Sequence, residues 1–347
     1  MKVLVAGFLT IDSIQLAVRQ ITSVGGPPAY AGLVCSRFGY DVAPLTKVGY
    51  DFPDEQAVWL TRNGVAIRAA DRSQTKPTTR FKIADSAGER ALTLVSRCED
   101  PSASQIPPET RFNAALVSPI AGEISTALLT EISARSDFTF LDPQGYVRAF
   151  DKEGRVTTTA PKDHSILTKV DAMKMDRAEA QALTGKEDPR EALQKLASMG
   201  LRKAMVTQGG EASFILDGSR IYEVVVPKSQ VVDSTGAGDI LSGATVSWYL
   251  KTRDFLRSAC FGIRVVPLLA HDRLGQDRPS DERGRERYEA LLACEPCRER
   301  LILSSSRILD SSSFRVGLPR VSYFVAFRAP AKFAKDTASN RLRPIRT

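Results

Sequence analysis

Short apolar segments alternate with helical patterns along the first 263 of the 347 residues. Residues 2–6 are almost continuously apolar, as strands buried on both faces are, whereas residues 55–62 and 189–199 have the apolar spacing of helices. This alternation predicts an α/β fold whose central sheet is mostly parallel and flanked by helices. Ligands bind at the carboxyl ends of the strands in such sheets, so functional residues are expected in the turns that follow strands. Further strands are expected at residues 113–118, 138–141, 172–175 and 203–207.

Residues 71–100 depart from this alternation. Two β patterns, at residues 81–83 and 91–96, are joined by the turn-forming residues 85–89. An antiparallel insertion of this kind in an α/β chain predicts a small β-sheet lid, to which residues near 8–20 are expected to add strands.

The formal net charge of +8 would suggest a nucleic-acid or membrane partner if it were spread over the whole chain. Residues 1–263, however, contain 31 lysines and arginines against 30 aspartates and glutamates, while residues 264–347 contain 17 against 10. The main body is therefore close to neutral, and we expect neither a nucleic-acid nor a membrane partner for it. No apolar run is long enough to span a membrane, and five scattered cysteines without a secretion-type leader favour a cytoplasmic location.

The strongest chemical signal is the glycine-rich turn Gly236-Ala237-Gly238-Asp239, which follows an apolar run and opens a helical pattern. Backbone N–H groups at a helix N-terminus are unpaired and the helix dipole adds partial positive charge, so such a turn can hold a phosphate or a developing anion. Asp239 beside that site would be placed to take a proton from a hydroxyl that attacks the phosphate. A plain capped helix would explain a shorter pattern equally well, since aspartate suits a first helical turn.

The longer string DSTGAGD at residues 233–239, followed by a small-residue helix, resembles the C-terminal signature of the ribokinase-like, or PfkB, carbohydrate kinases. The resemblance extends over residues 1–263 and implies a ribokinase-like fold with a β-lid that also forms homodimers. It implies ATP-dependent phosphoryl transfer to a hydroxyl of a sugar, polyol or nucleoside, with Asp239 as base and the amides of the turn as anion hole. It also implies that Thr235 contacts the nucleotide and that Asp233 contributes to a K⁺ site.

The pair Gly25-Gly26, followed by two prolines and a small-residue helix, resembles the di-glycine motif near the N-terminus of the family. In the family this motif lets substrate hydroxyls approach the backbone, which glycine permits because it has no side chain. Tyr30 stands where asparagine is common and therefore departs from the family pattern. Asp12 falls where the family has an aspartate that binds sugar hydroxyls, although by itself it would equally suit a turn.

The segment Asp176-Arg-Ala-Glu179 resembles the family's Asn-x-x-Glu segment, which positions Mg²⁺ and phosphate through water, with aspartate here in place of asparagine. Asp176 and Glu179 also have the spacing of a helix capping box, which alone would explain them. Thr207-Gln-Gly209-Gly210 resembles the strand-end turn that contacts the nucleotide, and the alternative is an ordinary glycine turn.

Residues 141–148 follow a strand and resemble a segment of family members that act on inositols and related polyols. The resemblance implies substrate contacts from Gln144 and Arg148 and favours an inositol-like polyol as the acceptor. Arg148 would otherwise pair with a surface carboxylate. Pentose, hexose and nucleoside acceptors remain open alternatives.

The resemblance stops near residue 263, after which the sequence becomes rich in arginine and serine and has no clear periodicity. Pro267 is expected to end the helix that begins near residue 255. We therefore expect a kinase domain at residues 1–263 and an anomalous, disordered tail at residues 264–347. A shift of reading frame near residue 263 would explain the tail, and a genuine basic extension that binds RNA or an acidic partner is the alternative.

Two other functions are compatible with parts of the sequence. A non-catalytic sugar- or nucleotide-binding protein, or an inactive kinase remnant, would share the binding motifs but lack the segment that completes the adenine pocket after residue 263. A dinucleotide-dependent oxidoreductase is disfavoured because Gly7 is not followed by the Gly-x-x-Gly of a Rossmann turn.

Overall fold

The structure is a computed structural model that describes residues 1–15, 20–86, 89–225, 235–269 and 327–328. The strands are β1 (Lys2–Ala6), β2 (Thr10–Gln15), β3 (Gln20–Gly25), β4 (Asp41–Leu45), β5 (Arg80–Ser86), β6 (Glu89–Ser96), β7 (Ala114–Val117), β8 (Thr139–Leu141), β9 (Arg148–Phe150), β10 (Val156–Thr158), β11 (Ala172–Asp176), β12 (Lys203–Thr207), β13 (Ser213–Asp217), β14 (Arg220–Val224) and β15 (Phe327–Arg328). The α-helices are α1 (Leu33–Arg37), α2 (Asp54–Arg62), α3 (Thr126–Ala134), α4 (Arg177–Thr184), α5 (Pro189–Ser198), α6 (Ala237–Thr252) and α7 (Phe255–Leu269). A π-helical turn, Pro28–Gly32, leads into α1.

Nine of the described strands form one sheet in the order β15–β14–β13–β12–β11–β8–β7–β1–β4. The strands from β12 to β4 run parallel, and β13, β14 and β15 complete the sheet in antiparallel orientation. Strand β1 shows why helices cover both faces: Val3 and Val5 belong to one apolar cluster, and Leu4 and Ala6 to the other. Helices α1, α2, α6 and α7 pack on the first face and α3, α4 and α5 on the second. The predicted α/β fold is confirmed.

The parallel strands place the turns that follow them along one edge of the sheet. Ser118 follows β7, and Asp142 follows the neighbouring strand β8. Asp176 ends β11 in register with Thr207, which ends β12. Side chains that lie far apart in the sequence therefore meet at this carboxyl edge.

A second sheet of four strands, in the order β3–β2–β5–β6, lies beside this edge. Strands β2 and β5 run parallel and the other neighbours antiparallel. Its apolar side forms a small cluster that includes Phe8, Ile14 and Phe81. The hairpin of β9 and β10 joins the outer strand of this sheet, since Leu94 N donates a hydrogen bond to Gly154 O at 2.8 Å. The predicted small β-sheet is present, and we refer to it as the lid.

Helix α7 corrects one prediction, because it continues through Pro267 to Leu269, the last residue described in this part of the chain. A proline removes one hydrogen bond and crowds the preceding turn, which is why the sequence suggested an earlier end. Helix α7 packs along α6, where the rings of Trp248 and Phe261 stack with their centroids 4.4 Å apart. Tertiary packing of this kind outweighs local propensity. Among the described helices, none has the length and apolar character needed to cross a membrane.

Candidate active site

The glycine-rich turn lies at the N-terminus of α6, where the sequence predicted it. Gly236 has a φ of +75°, and a Cβ at this position would lie 2.7 Å from ring carbons of Tyr30. Glycine is therefore required both by the left-handed backbone and by the close approach of the ring. Ala237 and Gly238 begin the helix, so their N–H groups face the position where an anion is favoured. Asp233 lies outside the described residues.

Asp239 lies in the first turn of α6, and Ser118 Oγ donates a hydrogen bond to Asp239 Oδ1 at 3.4 Å. Burial, followed by the nearby carboxylate of Asp142, raises the pKa of Asp239 from 3.8 to about 7. The positive charges of Lys174 and Arg148 act in the opposite direction. Because a general base is most effective when its pKa is close to the working pH, Asp239 is suited to accept a proton from a hydroxyl.

A buried ion pair lies beside the turn, with Lys174 Nζ 2.9 Å from Asp142 Oδ2. Burial alone would lower the pKa of Lys174, but the carboxylates of Asp142 and Glu179 more than offset it, so the pKa is raised and the amine stays charged. A Cβ at Gly238 would lie 2.8 Å from Lys174 Nζ, so this glycine allows the ammonium group to reach the start of α6. The cation and the helix N-terminus together favour an anion here. The sequence analysis missed Lys174, and its signal was a lysine within an otherwise apolar, buried strand.

Asp176 and Glu179 form the capping box of α4 that their spacing allowed. Asp176 Oδ1 accepts a hydrogen bond from Glu179 N at 2.8 Å, and Glu179 Oε2 accepts one from Asp176 N at 2.7 Å. Burial, followed by Asp142, raises the pKa of the Glu179 carboxyl to about 7. Carboxylate oxygens are ligands that suit Mg²⁺, yet in the part of the chain that the structure describes no three acidic, histidine or cysteine side chains are grouped so that they could hold a metal ion. The carboxylates of Asp176 and Glu179 would suit an Mg²⁺ ion that they reach through water.

Arg148 lies within the site rather than in a surface ion pair. Its Nη1 donates a hydrogen bond to Ile120 O at 3.2 Å. Burial lowers the pKa of Arg148, while the surrounding carboxylates, led by Glu179 and Asp142, act in the opposite direction, and the guanidinium remains charged. Gln144, in the turn before β9, has Nε2 3.5 Å from Glu179 Oε1. Gln144 and Arg148 thus both lie near the carboxylates at the start of α4.

The di-glycine pair lies where the lid strand β3 ends. A Cβ at Gly25 would lie 2.2 Å from Asp12 Oδ2, and one at Gly26 would lie 2.1 Å from Phe8 O. Gly26 also has a φ of +89°. The close approach that the sequence predicted is present, but it brings in atoms of this chain: the pair makes room for the buried Asp12 side chain and for the Phe8 backbone.

The predicted nucleotide contacts lie after β12. Thr207 Oγ1 donates a hydrogen bond to Met175 O at 3.4 Å, which ties this turn to β11. Gly209 has a φ of +60°, and nothing lies within 4 Å of a Cβ at Gly209 or Gly210. The open space around these glycines leaves room for a ligand at the same edge of the sheet. Thr235 directly precedes the glycine-rich turn.

A cleft of about 480 Å³ lies between lid strand β6, the β9–β10 hairpin and the start of α4. Arg148, Asp176 and Glu179 line it, together with Leu92 and Thr93 of the lid. The cleft is large enough for a sugar-sized molecule and gives access to the carboxylates of Asp176 and Glu179.

Asp239 and the glycine-rich turn lie within a segment that matches a known protein family. Residues 12–266 match the family described as pfkB family carbohydrate kinase. The chain belongs to this family. The matched residues include the glycine-rich turn and Asp239.

Similar proteins of this family differ in their acceptors. The cytidine kinase of Thermococcus kodakarensis is 24% identical over 263 residues, which cover 73% of this chain and 90% of that protein. The inositol 3-kinase of Oryza sativa subsp. japonica is 28% identical over 253 residues, which cover 67% of this chain and 59% of that protein.

Solved structures agree on the fold. A pyrophosphate-dependent kinase in the ribokinase family, complexed with a pyrophosphate analog and myo-inositol, superposes with a TM-score of 0.69 at 21% identity, covering 83% of this chain and 99% of that one. A Vibrio cholerae fructokinase with fructose, ADP and potassium ion bound superposes with a TM-score of 0.63 at 16% identity, covering 84% and 97%. At these identities the likeness establishes a ribokinase-like fold.

Proposed function

We propose that this pfkB-family chain transfers the γ-phosphoryl group of ATP to a hydroxyl of a small sugar, polyol or nucleoside. The observation that carries the proposal is the position of Asp239, whose pKa lies at about 7, beside a helix N-terminus and the buried cation of Lys174. An inositol-like polyol is the acceptor we favour. Support comes from the charged, partly buried Arg148 beside the cleft and from the likeness to a plant inositol 3-kinase.

In the proposed reaction Asp239 accepts the proton of the acceptor hydroxyl while the acceptor oxygen forms a bond to the γ-phosphorus. The bond from that phosphorus to the bridging oxygen breaks, and its electron pair leaves with ADP. The amides of Gly236, Ala237 and Gly238 stabilise the charge on the transferring group, because they are already oriented and partly shielded from water. Lys174 adds a fixed positive charge next to those amides.

Asp12, Gly25 and Gly26 would hold the acceptor beneath the lid, and Thr207, Gly209, Gly210 and Thr235 would contact the nucleotide. Asp176 and Glu179 would hold Mg²⁺ through water. When bound, Mg²⁺ neutralises charge on the donor phosphates. A K⁺ site that includes Asp233 is part of the proposal and is supported by the potassium ion in the similar fructokinase.

We further propose that residues 1–263 form the kinase domain and that residues 264–347, apart from the last turn of α7 and strand β15, lie outside it. The family match, which ends at residue 266, supports this boundary. Translation of resequenced DNA around codons 255–275 tests it, since a family-like ending in another frame would identify the tail as a frameshift. A homodimer through the lid and a cytoplasmic location complete the proposal, and light scattering tests the dimer.

A panel assay with the purified chain tests the proposed reaction. Myo-inositol, cytidine, ribose and fructose are each offered with Mg-ATP or Mg-pyrophosphate, and the phosphorylated product is identified by mass spectrometry. We expect acceptor-dependent donor consumption that Asp239→Asn abolishes and the helix-cap variant Asp188→Asn, on the distant α5, leaves intact. Pyrophosphate as the better donor would replace ATP in the proposal. Thermal stabilisation by an acceptor without turnover would identify a binding protein or inactive remnant instead.

A further inference from the structure

A buried carboxylate outside every predicted motif connects two loops of the candidate site. Glu123 is 1% exposed, and its Oε1 accepts hydrogen bonds from Phe8 N at 2.9 Å and Ile120 N at 3.0 Å. Its Oε2 accepts hydrogen bonds from Ile120 N at 3.0 Å and Ala121 N at 2.7 Å. One side chain therefore satisfies three backbone donors that would otherwise be buried without partners.

The three donors belong to the loops that follow β1 and β7, which are neighbouring parallel strands. The loops touch each other directly, because a Cβ at Gly7 would lie 2.4 Å from Ser118 O. Converging N–H groups repel one another, and both oxygens of the Glu123 side chain accept hydrogen bonds from them, so this side chain holds the two loops together. Burial raises the pKa of Glu123, and the bonds from the amides act in the opposite direction.

Each loop carries a group of the candidate site. Ser118 donates its hydrogen bond to Asp239, and Ile120 O accepts one from Arg148. The Phe8 loop leads into β2, which carries Asp12. The contacts of Glu123 thus reach Arg148 through Ile120, and they reach Asp239 and Asp12 through the loops that carry Ser118 and Phe8.

We propose that Glu123 is a positioning residue for the acceptor half of the site: it fixes the two loops so that Asp239, Arg148 and Asp12 converge on the acceptor hydroxyl. This inference rests on the proposed function. The donor half depends on other elements, since Asp176 and Thr207 pair with each other across β11 and β12. Loss of Glu123 is therefore expected to affect the acceptor and the chemical step while leaving the binding of the donor unchanged.

Steady-state kinetics of Glu123→Gln separate this role from a purely structural one. Glutamine keeps the size and one acceptor oxygen but turns an NH₂ group towards backbone N–H donors. We expect kcat to fall and the acceptor KM to rise, with kcat/KM for the acceptor lower by about tenfold to a hundredfold. The donor KM is expected to stay within about twofold. A general loss of folded protein would lower the apparent kcat and leave both KM values unchanged, so a rise in the acceptor KM alone distinguishes the two explanations.

The matched control is Asp171→Asn, a carboxylate-to-amide change at the opposite edge of the sheet. Asp171 Oδ2 accepts a hydrogen bond from Thr139 N at 2.7 Å where β8 and β11 begin. We expect its kinetic constants to remain within about twofold of the wild type. Thermal melts of all variants identify a temperature at which each is folded.

Three results would overturn the inference or its basis, and they are distinct. A wild-type chain without phosphoryl transfer to any acceptor refutes the proposed function. An active wild type with a folded Glu123→Gln variant that keeps its acceptor KM and kcat refutes the positioning role alone. If Glu123→Gln does not fold, the kcat of Ser118→Ala is measured instead. An unchanged kcat refutes the inference that the loop after β7 positions Asp239 through Ser118, and a kcat about tenfold lower supports it.

Discussion

Replacing Asp239 by asparagine separates the chemical role of this residue from its cost to folding. Asparagine has nearly the same shape, and its side-chain oxygen can still accept the hydrogen bond from Ser118 Oγ. It cannot take up a proton at neutral pH. We therefore expect turnover to fall by about 10²–10⁴, the usual contribution of a general base, while acceptor binding changes little.

The same substitution is expected to stabilise the fold, and its size follows from the pKa. The pKa of Asp239 rises from 3.8 to about 7 on folding because the carboxyl is buried and lies near Asp142. A raised carboxyl pKa costs nothing at low pH, where both states are protonated. The cost develops between the unfolded and folded pKa values and is complete above about pH 7. The rise corresponds to at most about 4 kcal/mol, and partial solvent access reduces it to roughly 2 kcal/mol.

Urea unfolding without ligands at about pH 4 and about pH 8 measures this effect. We expect Asp239→Asn to match the wild type at the lower pH and to have the larger free energy of unfolding at the higher pH. Asp188→Asn, which changes an exposed helix cap, should show no such pH dependence. Equal stabilities of wild type and Asp239→Asn at both pH values would show that Asp239 is not a buried, charged group. Near-wild-type turnover would show that it is not the base.

Three further outcomes follow from the geometry. Wild-type kcat should decrease about tenfold per unit as pH falls below 7, because the base becomes protonated, and a flat profile down to pH 5 would contradict this. Gly236→Ala should lower the free energy of unfolding by about 2 kcal/mol or more and abolish turnover. The control Gly218→Ala, at a φ of +66° with open space around it, should lower the free energy of unfolding by about 1 kcal/mol and leave turnover intact. Lys174→Met should cost about 3–5 kcal/mol in urea unfolding because it leaves Asp142 buried without its cation, and adding Asp142→Asn should recover part of this loss; no recovery would mean that the ion pair is not the source.

The sequence alone determined the fold class and the position of the glycine-rich turn at the start of α6. Both depend on local patterns: the apolar periodicity of strands and helices, and a glycine whose positive φ few other residues tolerate. The capping box of Asp176 and Glu179 was likewise readable, since its two partners are three residues apart. The continuation of α7 past Pro267 was not, because a proline within a helical pattern is a local signal for the end of a helix.

The tertiary structure decided which groups surround Asp239 and how they are charged. Lys174 pairs with a carboxylate 32 residues away, Ser118 reaches across 121 residues to Asp239, and Glu123 across 115 to Phe8. No local pattern encodes such contacts, because they arise where the carboxyl ends of neighbouring strands meet. The raised pKa of Asp239 is equally a tertiary property, since desolvation and the charge of Asp142 act only after the chain has folded around them.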